Sequence, residues 1–509
     1  MKFIILIFAL LQIHTTFAQA QTETYFCNEE LGTLPILQGG RIKPLSVHAK
    51  ETIKHLVGKS KVGDTPATTA YCLLSAKGFG LPVDLDVKST IDHSMTREFF
   101  EGKHEISFTE LVSMQSEVRT EWMRQKDETS YKKDLAKLLS KISLYSEIIS
   151  SNNWLLPVAN GKEMTWIPLA SFLTQEKIEA LSKLSTTPFL YAFKEAKKEY
   201  IKVDGDKYVI EYYFDKASLT GWAMLATILA LAALVLFKRF NIALTLSLIT
   251  VAIQFVYISL RVYISGRAPI TNMYETVIFS GFGSLVLALI IGHLKKEKVF
   301  IYMGLAYNLC TLMMITFAGS MVSPSISPLV PVLRDNFWLS THVTTIIMSY
   351  GALALSWILG NTIIIKKRFG KITHKDEVYY NDVIYTSLKY GVTMLATGII
   401  LGGVWADYSW GRFWGWDPKE TWSLIVLCFY MAILHGKYTN WIPPKRFAPL
   451  VAAAFMSVMM AWFGVNYILA SGLHSYGFSE GGAIFLGSFF AVQLILLAVT
   501  FQKDNNKIA

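Results

Sequence analysis

Apolar positions are distributed in two regimes along the chain. Up to about residue 216 they are interrupted by polar residues every few positions. From Ala217 onward they merge into runs, at approximately 217–237, 241–263, 272–294, 299–320, 342–364, 388–405, 420–436, 447–470 and 481–501. At about 1.5 Å rise per residue, each run is roughly long enough to cross ~30 Å of hydrocarbon. Lipid offers no partner to an unpaired backbone amide or carbonyl, so the runs are expected to be helices. The expected fold is an all-α polytopic membrane bundle of about nine transmembrane helices, residues 217–502, behind an exported domain of mixed but mainly helical structure, residues 21–216.

The opening segment reads as a secretory signal over residues 1–20. Lys2 supplies the positive start, Phe3 to Leu11 the apolar stretch, and Ala18-Gln19-Ala20 the small-x-small cleavage pattern, with Gln21 as the mature start. An uncleaved anchor is the alternative, and either reading exports the domain behind it. Within 21–216, Leu and Ile recur at helical spacing over Tyr131–Ser150 and Gln175–Tyr200. The segment Lys207–Phe214 (KYVIEYYF) reads as a strand, and Gly39-Gly40 and Gly205-Asp206 as turns. Gly58-Lys59-Ser60 is not a phosphate loop, because Ile53 stands where that motif needs its first glycine.

Composition sharpens this picture. Of 509 residues, 52% are hydrophobic and only 17% charged, with a net charge of +10. That surplus lies mostly in short loops between the runs, which argues for membrane orientation and against nucleic-acid binding. With the N-terminal domain exported, the segments on the cytoplasmic side hold 15 Lys and Arg, among them Lys238-Arg239, Lys295, Lys296, Lys298, Lys366-Lys367-Arg368 and Lys445-Arg446. The outward segments hold five, Arg261, Arg267, Arg334, Arg412 and Lys419. The positive-inside rule and the signal sequence thus agree. The four cysteines, Cys27, Cys72, Cys310 and Cys428, form no CxxC or CxxCH, which excludes a dithiol reductase and a c-type cytochrome. Cys27 and Cys72 share the exported domain, where a disulfide can form. Cys310 and Cys428 fall in apolar runs as packing residues.

The outward face gathers the candidate chemistry. The segment Trp405–Trp422, WADYSWGRFWGWDPKETW, is read as a loop and carries five of the chain's 13 tryptophans. An interfacial aromatic belt needs one or two tryptophans per helix end. Five in one segment, with Gly411 and Gly415 between them, point instead to a platform for a flat aromatic ligand, with Trp410, Trp414 and Trp416 as its candidate contacts. Asp417, Pro418 and Glu420 have the order of an ordinary helix start, so capping is the expected role of both acids, with an indirect effect on a ligand. His342 opens the fifth run and His474 comes after the eighth. Two imidazoles on one face and on separate helices can approach a metal from opposite sides. Arg267, in Ser265–Glu275, is a candidate partner for a carboxylate, with a plain turn and helix start as the alternative. His435 lies 15 residues after Glu420, roughly 22 Å down the same helix. Ionisable groups at such depth are often functional, although this one can also be reaching the inner headgroups beside Lys437.

The run Trp410-Gly411-Arg412-Phe413-Trp414-Gly415-Trp416-Asp417-Pro418-Lys419-Glu420 closely resembles the tryptophan-rich WWD signature of haem-handling cytochrome c assembly proteins. The chain is most similar to the CcsA/ResC type of the system II holocytochrome c synthase. Gly266–Glu275 resembles that family's GxxPxxNxYE-like outward segment, His342 and His474 its histidines before and after the tryptophan segment, and His435 its membrane histidine. The resemblance covers about 260–480. Residues 21–237 look like the later portion of a ResB-like half, whose preceding helices are absent here.

The resemblance implies a haem lyase component of cytochrome c biogenesis in the bacterial inner membrane. His435 would ligate haem b at an inner site. His342 and His474 would then hold its iron at the outer face, over the tryptophan segment. Two thiols of an apocytochrome c CxxCH segment would add to the haem vinyl groups. No catalytic residue is assigned, since proximity can supply most of the rate. The implied partners are apocytochrome c, a ResB/CcsB-like membrane subunit and thiol-reducing thioredoxin-like proteins. The competing readings are a haem exporter or chaperone that hands haem to a separate ligation component, and a transporter of another substrate. The second would place charged groups along mid-membrane helices, and the runs contain almost none.

Overall fold

The computed structural model describes residues 27, 29–79, 83, 85–127, 129–160, 163–172, 187–318, 321–326, 336–469 and 482–505. The expected signal segment, the start of the 175–200 helix, Arg334 and His474 lie outside these residues. The chain divides into two compact units between Asp215 and Lys216.

Among its described residues, the first unit combines helices with four two-stranded antiparallel sheets. These are β1 (Pro35–Gln38) with β2 (Arg41–Pro44), β3 (Lys61–Val62) with β4 (Thr65–Pro66), β5 (Lys88–Thr90) with β6 (Glu105–Ser107), and β7 (Leu155–Asn160) with β8 (Glu163–Pro168). The longer helices are α1 (Leu45–Val57), α2 (Ala67–Gly78), α3 (Ser130–Ile149), α4 (Thr187–Asp204) and α5 (Val209–Lys216). Helix α3 shows how the sequence dictates the packing. Thr129 accepts a hydrogen bond from the Lys132 amide at its start, and Tyr131, Leu135, Leu138, Ile142, Tyr145 and Ile148, three or four residues apart, form its buried face. Trp154 stacks on Phe193 at 5.4 Å in the same core. Cys27 and Cys72 are joined there as a buried disulfide. Burial, aided by nearby Lys43 and opposed by a hydrogen bond to Asn153, lowers the His48 imidazole to about 3, so His48 is neutral in the core.

The strand expected at Lys207–Phe214 is helix α5 instead. Its aromatic and β-branched content favours a strand locally, but tertiary ion pairs outweigh that preference. Glu211 and Asp215, four residues apart on one helical face, meet Arg41 at 2.5 Å and Lys50 at 2.6 Å.

The second unit is helical among its described residues. It comprises α6 (Leu219–Val235), α7 (Phe240–Ser265), α8 (Met273–Lys295), α9 (Val299–Phe317), α10 (Thr344–Arg368), α11 (His374–Trp410), α12 (Pro418–Tyr438), α13 (Pro444–Met459) and α14 (Gly482–Asn505). Two π-helical segments interrupt the pattern, Leu339–Val343 before α10 and Met460–Leu469 after α13. Among the described residues, seven spans are long and apolar enough to cross a membrane: Val209–Val235, Phe240–Ser265, Met273–Lys295, Val299–Phe317, Leu339–Arg368, His374–Trp410 and Pro444–Leu469. The second unit is an all-α polytopic membrane bundle. Helix α12 falls outside that group, and α14 is a shorter apolar helix over its described side chains, Gly482–Ala498.

Helix α10 is the hub of this unit, packing against α8, α9, α11, α13 and α14. It touches α11 along a glycine face. A Cβ on Gly391 would fall 2.7 Å from Leu353, and one on Gly398 2.7 Å from Ile346. Small residues at such spacing let membrane helices approach closely. Helix α11 is longer than its apolar run. Its polar start, His374–Ser387, expected as a loop, is helical behind a capping box between Thr373 and Asp376. Lys367–Glu377 at 3.0 Å and Lys437–Asp382 at 3.3 Å tie that start to the ends of its neighbours.

Candidate functional site

The segment expected as one loop, Trp405–Trp422, is mostly helical. Trp405 to Trp410 complete α11, which ends on Gly411 in the left-handed conformation at φ +67°. Trp422 stands in the second turn of α12, leaving 411–417 as the connection. Trp416 is also left-handed, at φ +57°, although it has a Cβ. Such strain costs on the order of 1–2 kcal/mol and persists only where the surroundings hold it. Here a capping box fixes the exit from the connection. Asp417 Oδ1 accepts from the Lys419 and Glu420 amides at 2.8 and 2.9 Å, while Glu420 Oε2 accepts from the Gly415 amide at 2.7 Å. Arg412 lies 3.6 Å from the same Glu420 carboxylate.

Beside this connection is a cavity of about 1140 Å³, measured out to its open mouth. Its walls are the start of α8, the π-helical segment with His342, the C-terminal half of α11, Phe413 and Trp414, the start of α12, and the second π-helical segment. Isolated π-helical turns often mark functional sites, and both segments of this kind border the same cavity.

His342 lies in this wall. Its Nδ1 is 2.8 Å from the Gly398 carbonyl oxygen. A carbonyl can only accept, so Nδ1 carries the proton and Nε2 the lone pair, the arrangement that orients metal-binding histidines. The ring lies against Trp405, with centroids 5.8 Å apart, and close above α11. A Cβ on Gly402 would stand 2.5 Å from His342 Cε1, and one on Gly403 2.5 Å from Phe413. Glycine is what admits both rings.

The opposite wall is braced from below. Buried Arg261 donates through Nε to Glu275 Oε1 and through Nη1 to the Pro324 carbonyl, both at 2.8 Å. Glu275 Oε2 accepts from the Thr271 amide and hydroxyl at 2.8 and 2.7 Å, and Asn272 caps the Glu275 amide at 2.9 Å. Thr271, Asn272 and Met273 are thereby set into the cavity wall. Arg261 is thus part of α7 rather than of an outward loop.

Of the residues singled out in the sequence, His342 and Trp414 line the cavity. Trp410 stacks on Trp405 at 6.4 Å, one layer behind. Trp416 is 70% exposed and meets Trp414 edge to face. Asp417 is the helix cap, and Arg267 lies on the turn after α7, neither bordering the cavity. His435 is exposed near the other end of α12, with Nδ1 donating to the Met431 carbonyl at 2.8 Å. His474 falls outside the described residues.

Sequence reading overlooked Lys419, Trp462 and Asn466 as cavity residues. Lys419 Nζ donates to Asn466 Oδ1 at 3.2 Å, and Asn466 Nδ2 donates to the Trp462 carbonyl at 2.6 Å and reaches Met273 Sδ at 3.2 Å. Trp462 Nε1 donates to Thr276 Oγ1 at 3.3 Å. A buried asparagine in an otherwise apolar run was the available signal.

The sequence model of the family described as "Cytochrome C assembly protein" matches residues 270–474, which span the whole cavity. Among curated proteins, CcsA of Guillardia theta, described as a cytochrome c biogenesis protein, is 32% identical over 239 residues, covering 42% of this chain and 78% of that protein. The chain belongs to the CcsA-type cytochrome c assembly family. The CcsA of Pyropia yezoensis is 30% identical over 284 residues, 47% of this chain and 84% of that protein. Protein NrfI of Wolinella succinogenes is 37% identical over 227 residues, 43% of this chain, and the match spans only 24% of that longer protein. As a member of the CcsA-type family, the chain functions in cytochrome c biogenesis. The family match begins at Ile270 and ends at His474, so it omits the first unit.

Proposed function

We propose that this protein binds haem b in the cavity at its tryptophan-rich end, presents it at the outer face of the bacterial inner membrane, and is the haem lyase component that joins it to apocytochrome c. The observation that carries this reading is His342, held by the Gly398 carbonyl with its lone pair at Nε2, in the wall of an open cavity lined by Trp405, Phe413 and Trp414. A flat macrocycle fits between Trp405, Phe413 and Trp414, with an imidazole to ligate its iron. Two indole donors of the lining, Trp405 Nε1 and Trp414 Nε1, have no acceptor among the described residues, which argues for a ligand that brings acceptors of its own.

His474, five residues beyond the second π-helical segment, is proposed as the axial ligand on the other face. Trp410 supports the platform from behind, Asp417 holds its exit angle, and exposed Trp416 meets an incoming apocytochrome. Arg267, on the turn after α7 and outside the cavity lining, is proposed as a further partner for a haem carboxylate. His435 is proposed as the inner ligand. Its exposure on the flank of α12 fits completion of that site by a ResB/CcsB-like membrane subunit. The buried Cys27–Cys72 disulfide supports export of the 21–216 domain, since such bonds persist in oxidising compartments. The lysine-rich helix ends at Lys295–Lys298 and Lys366–Lys371 then lie in the cytoplasm.

In the reaction, each CxxCH thiol adds across one haem vinyl group. Sulfur bonds to one vinyl carbon, the thiol hydrogen goes to the other, and no electrons are lost. The thiols must arrive reduced, which assigns thioredoxin-like proteins to the preceding step. The chain's own contribution is to hold the macrocycle edge toward the mouth and keep the iron ligated. The test is co-expression of this chain and its partner subunit with an apocytochrome in a host lacking any assembly pathway. Covalent cytochrome is the expected result. Haem accumulating on this chain without covalent product would reassign it as a haem exporter or chaperone.

A further inference from the structure

The polar groups of the cavity are unevenly divided between donors and acceptors. Lys419 is the one lysine or arginine among its described lining residues. Trp405 and Trp414 add indole N–H groups that meet no acceptor among the described residues, and Trp405 is only 3% exposed. The one carboxylate of the lining, Glu420, is already committed to the Gly415 and Asp417 amides and to Arg412. Asn466 presents its oxygen to Lys419 because its nitrogen is taken by the Trp462 carbonyl and Met273. An ammonium carries three donors and can serve Asn466 and a ligand oxygen together. Much of the remaining lining, including Leu339, Ile346, Ile347 and Phe413, is apolar.

Resting on the haem-binding reading, we propose that Lys419, with the indole N–H of Trp414, receives a propionate carboxylate of the bound haem and so fixes which edge of the macrocycle points into the protein. Haem carries its two propionates on one edge and its vinyl groups elsewhere on the ring. Anchoring a propionate at Lys419 therefore selects the rotation that leaves the vinyl edge for the incoming thiols. Lys419 is a positioning residue here, since it touches the substrate away from the reacting carbons. The sequence pointed to Arg267 as the carboxylate partner, and the cavity lining adds a second and deeper one at the start of α12.

The test compares haem with its dimethyl ester, which keeps the ring, iron and vinyl groups but removes both carboxylate charges. Full-length protein, purified with its partner subunit and stripped of haem, is titrated with each and followed by the Soret band. Wild type is expected to bind haem at least ~10-fold more tightly than the ester, as a charge-assisted pair in a partly buried site would give. In Lys419→Met, haem is expected to lose most of its advantage over the ester, the remainder resting on Arg267, while the ester is unchanged. Lys419→Arg retains most of the preference, and Trp414→Phe loses part of it. The wild-type comparison stands even if a variant fails to fold. Equal binding of haem and ester by wild type overturns the propionate contact while leaving haem binding intact. A preference undiminished in Lys419→Met moves the contact to another cation and overturns the assignment. Binding of neither ligand fails the haem reading itself.

Discussion

At the scale of single residues, the site depends on small side chains as much as on large ones. His342 occupies its position because Gly402 has no Cβ. Alanine there would place a methyl 2.5 Å from the ring, so the ring must shift and its Nδ1–Gly398 bond with it. Gly402→Ala is therefore expected to displace the imidazole at a cost of about 1–3 kcal/mol and weaken haem binding while leaving the helices folded. Haem titration beside circular dichroism checks it, and unchanged affinity would mean that His342 is not a ligand. His342 was legible in the sequence because it opens an apolar run, and Trp414 because it stands in a cluster of five tryptophans. Lys419 was visible but counted only as a loop charge, since nothing in DPKE says that its side chain enters a cavity. Trp462 and Asn466 lay in an apolar run, where one polar residue carries no direction without the fold.

At the scale of elements, buried ion pairs and caps decide what the apolar pattern leaves open. The runs located the membrane helices to within a few residues, except that polar His374–Ser387 and aromatic Trp405–Trp410 extend α11 at both ends. Periodicity does not distinguish a polar loop from a polar helix packed on one side. It also missed α5, where Glu211 and Asp215 pair with Arg41 and Lys50 across more than 160 residues of sequence. The cavity's α8 wall rests on the Arg261–Glu275 pair, both members at most 2% exposed. Glu275→Gln leaves the guanidinium buried without its counter-charge, and a loss of about 3–5 kcal/mol is expected. Replacing both members with Met and Leu should recover most of it. Thermal unfolding in detergent distinguishes the outcomes, and a single variant as stable as wild type would show that the pair does not brace the wall.

At the scale of the whole molecule, two units meet different conditions. The membrane unit satisfies its backbone within helices and its rare polar groups with one another, as in the buried Gln254–Asn308 pair at 2.8 Å and the Trp357–Gln493 bond at 2.8 Å. The first unit relies on an ordinary apolar core and on a disulfide closing a 45-residue separation. Loop-closure entropy for that separation corresponds to roughly 4 kcal/mol. Replacing Cys27 and Cys72 by serine should lower the unfolding midpoint of this unit accordingly. Alkylation of the intact protein should leave this pair unlabelled until reduction, with Cys310 and Cys428 as thiols throughout. Labelling of all four without reductant would contradict export of the first unit.

Whether haem sits in the cavity bordered by His342 is read from the reduced visible spectrum of the full chain, purified with its partner subunit, for wild type, His342→Ala and His435→Ala. The expected result is a b-type spectrum in wild type, a changed and weakened one in His342→Ala, and a separate partial loss in His435→Ala, since that residue lies at the opposite end of α12. A wild-type preparation with no haem, or a His342→Ala spectrum indistinguishable from wild type, would contradict haem binding at this site.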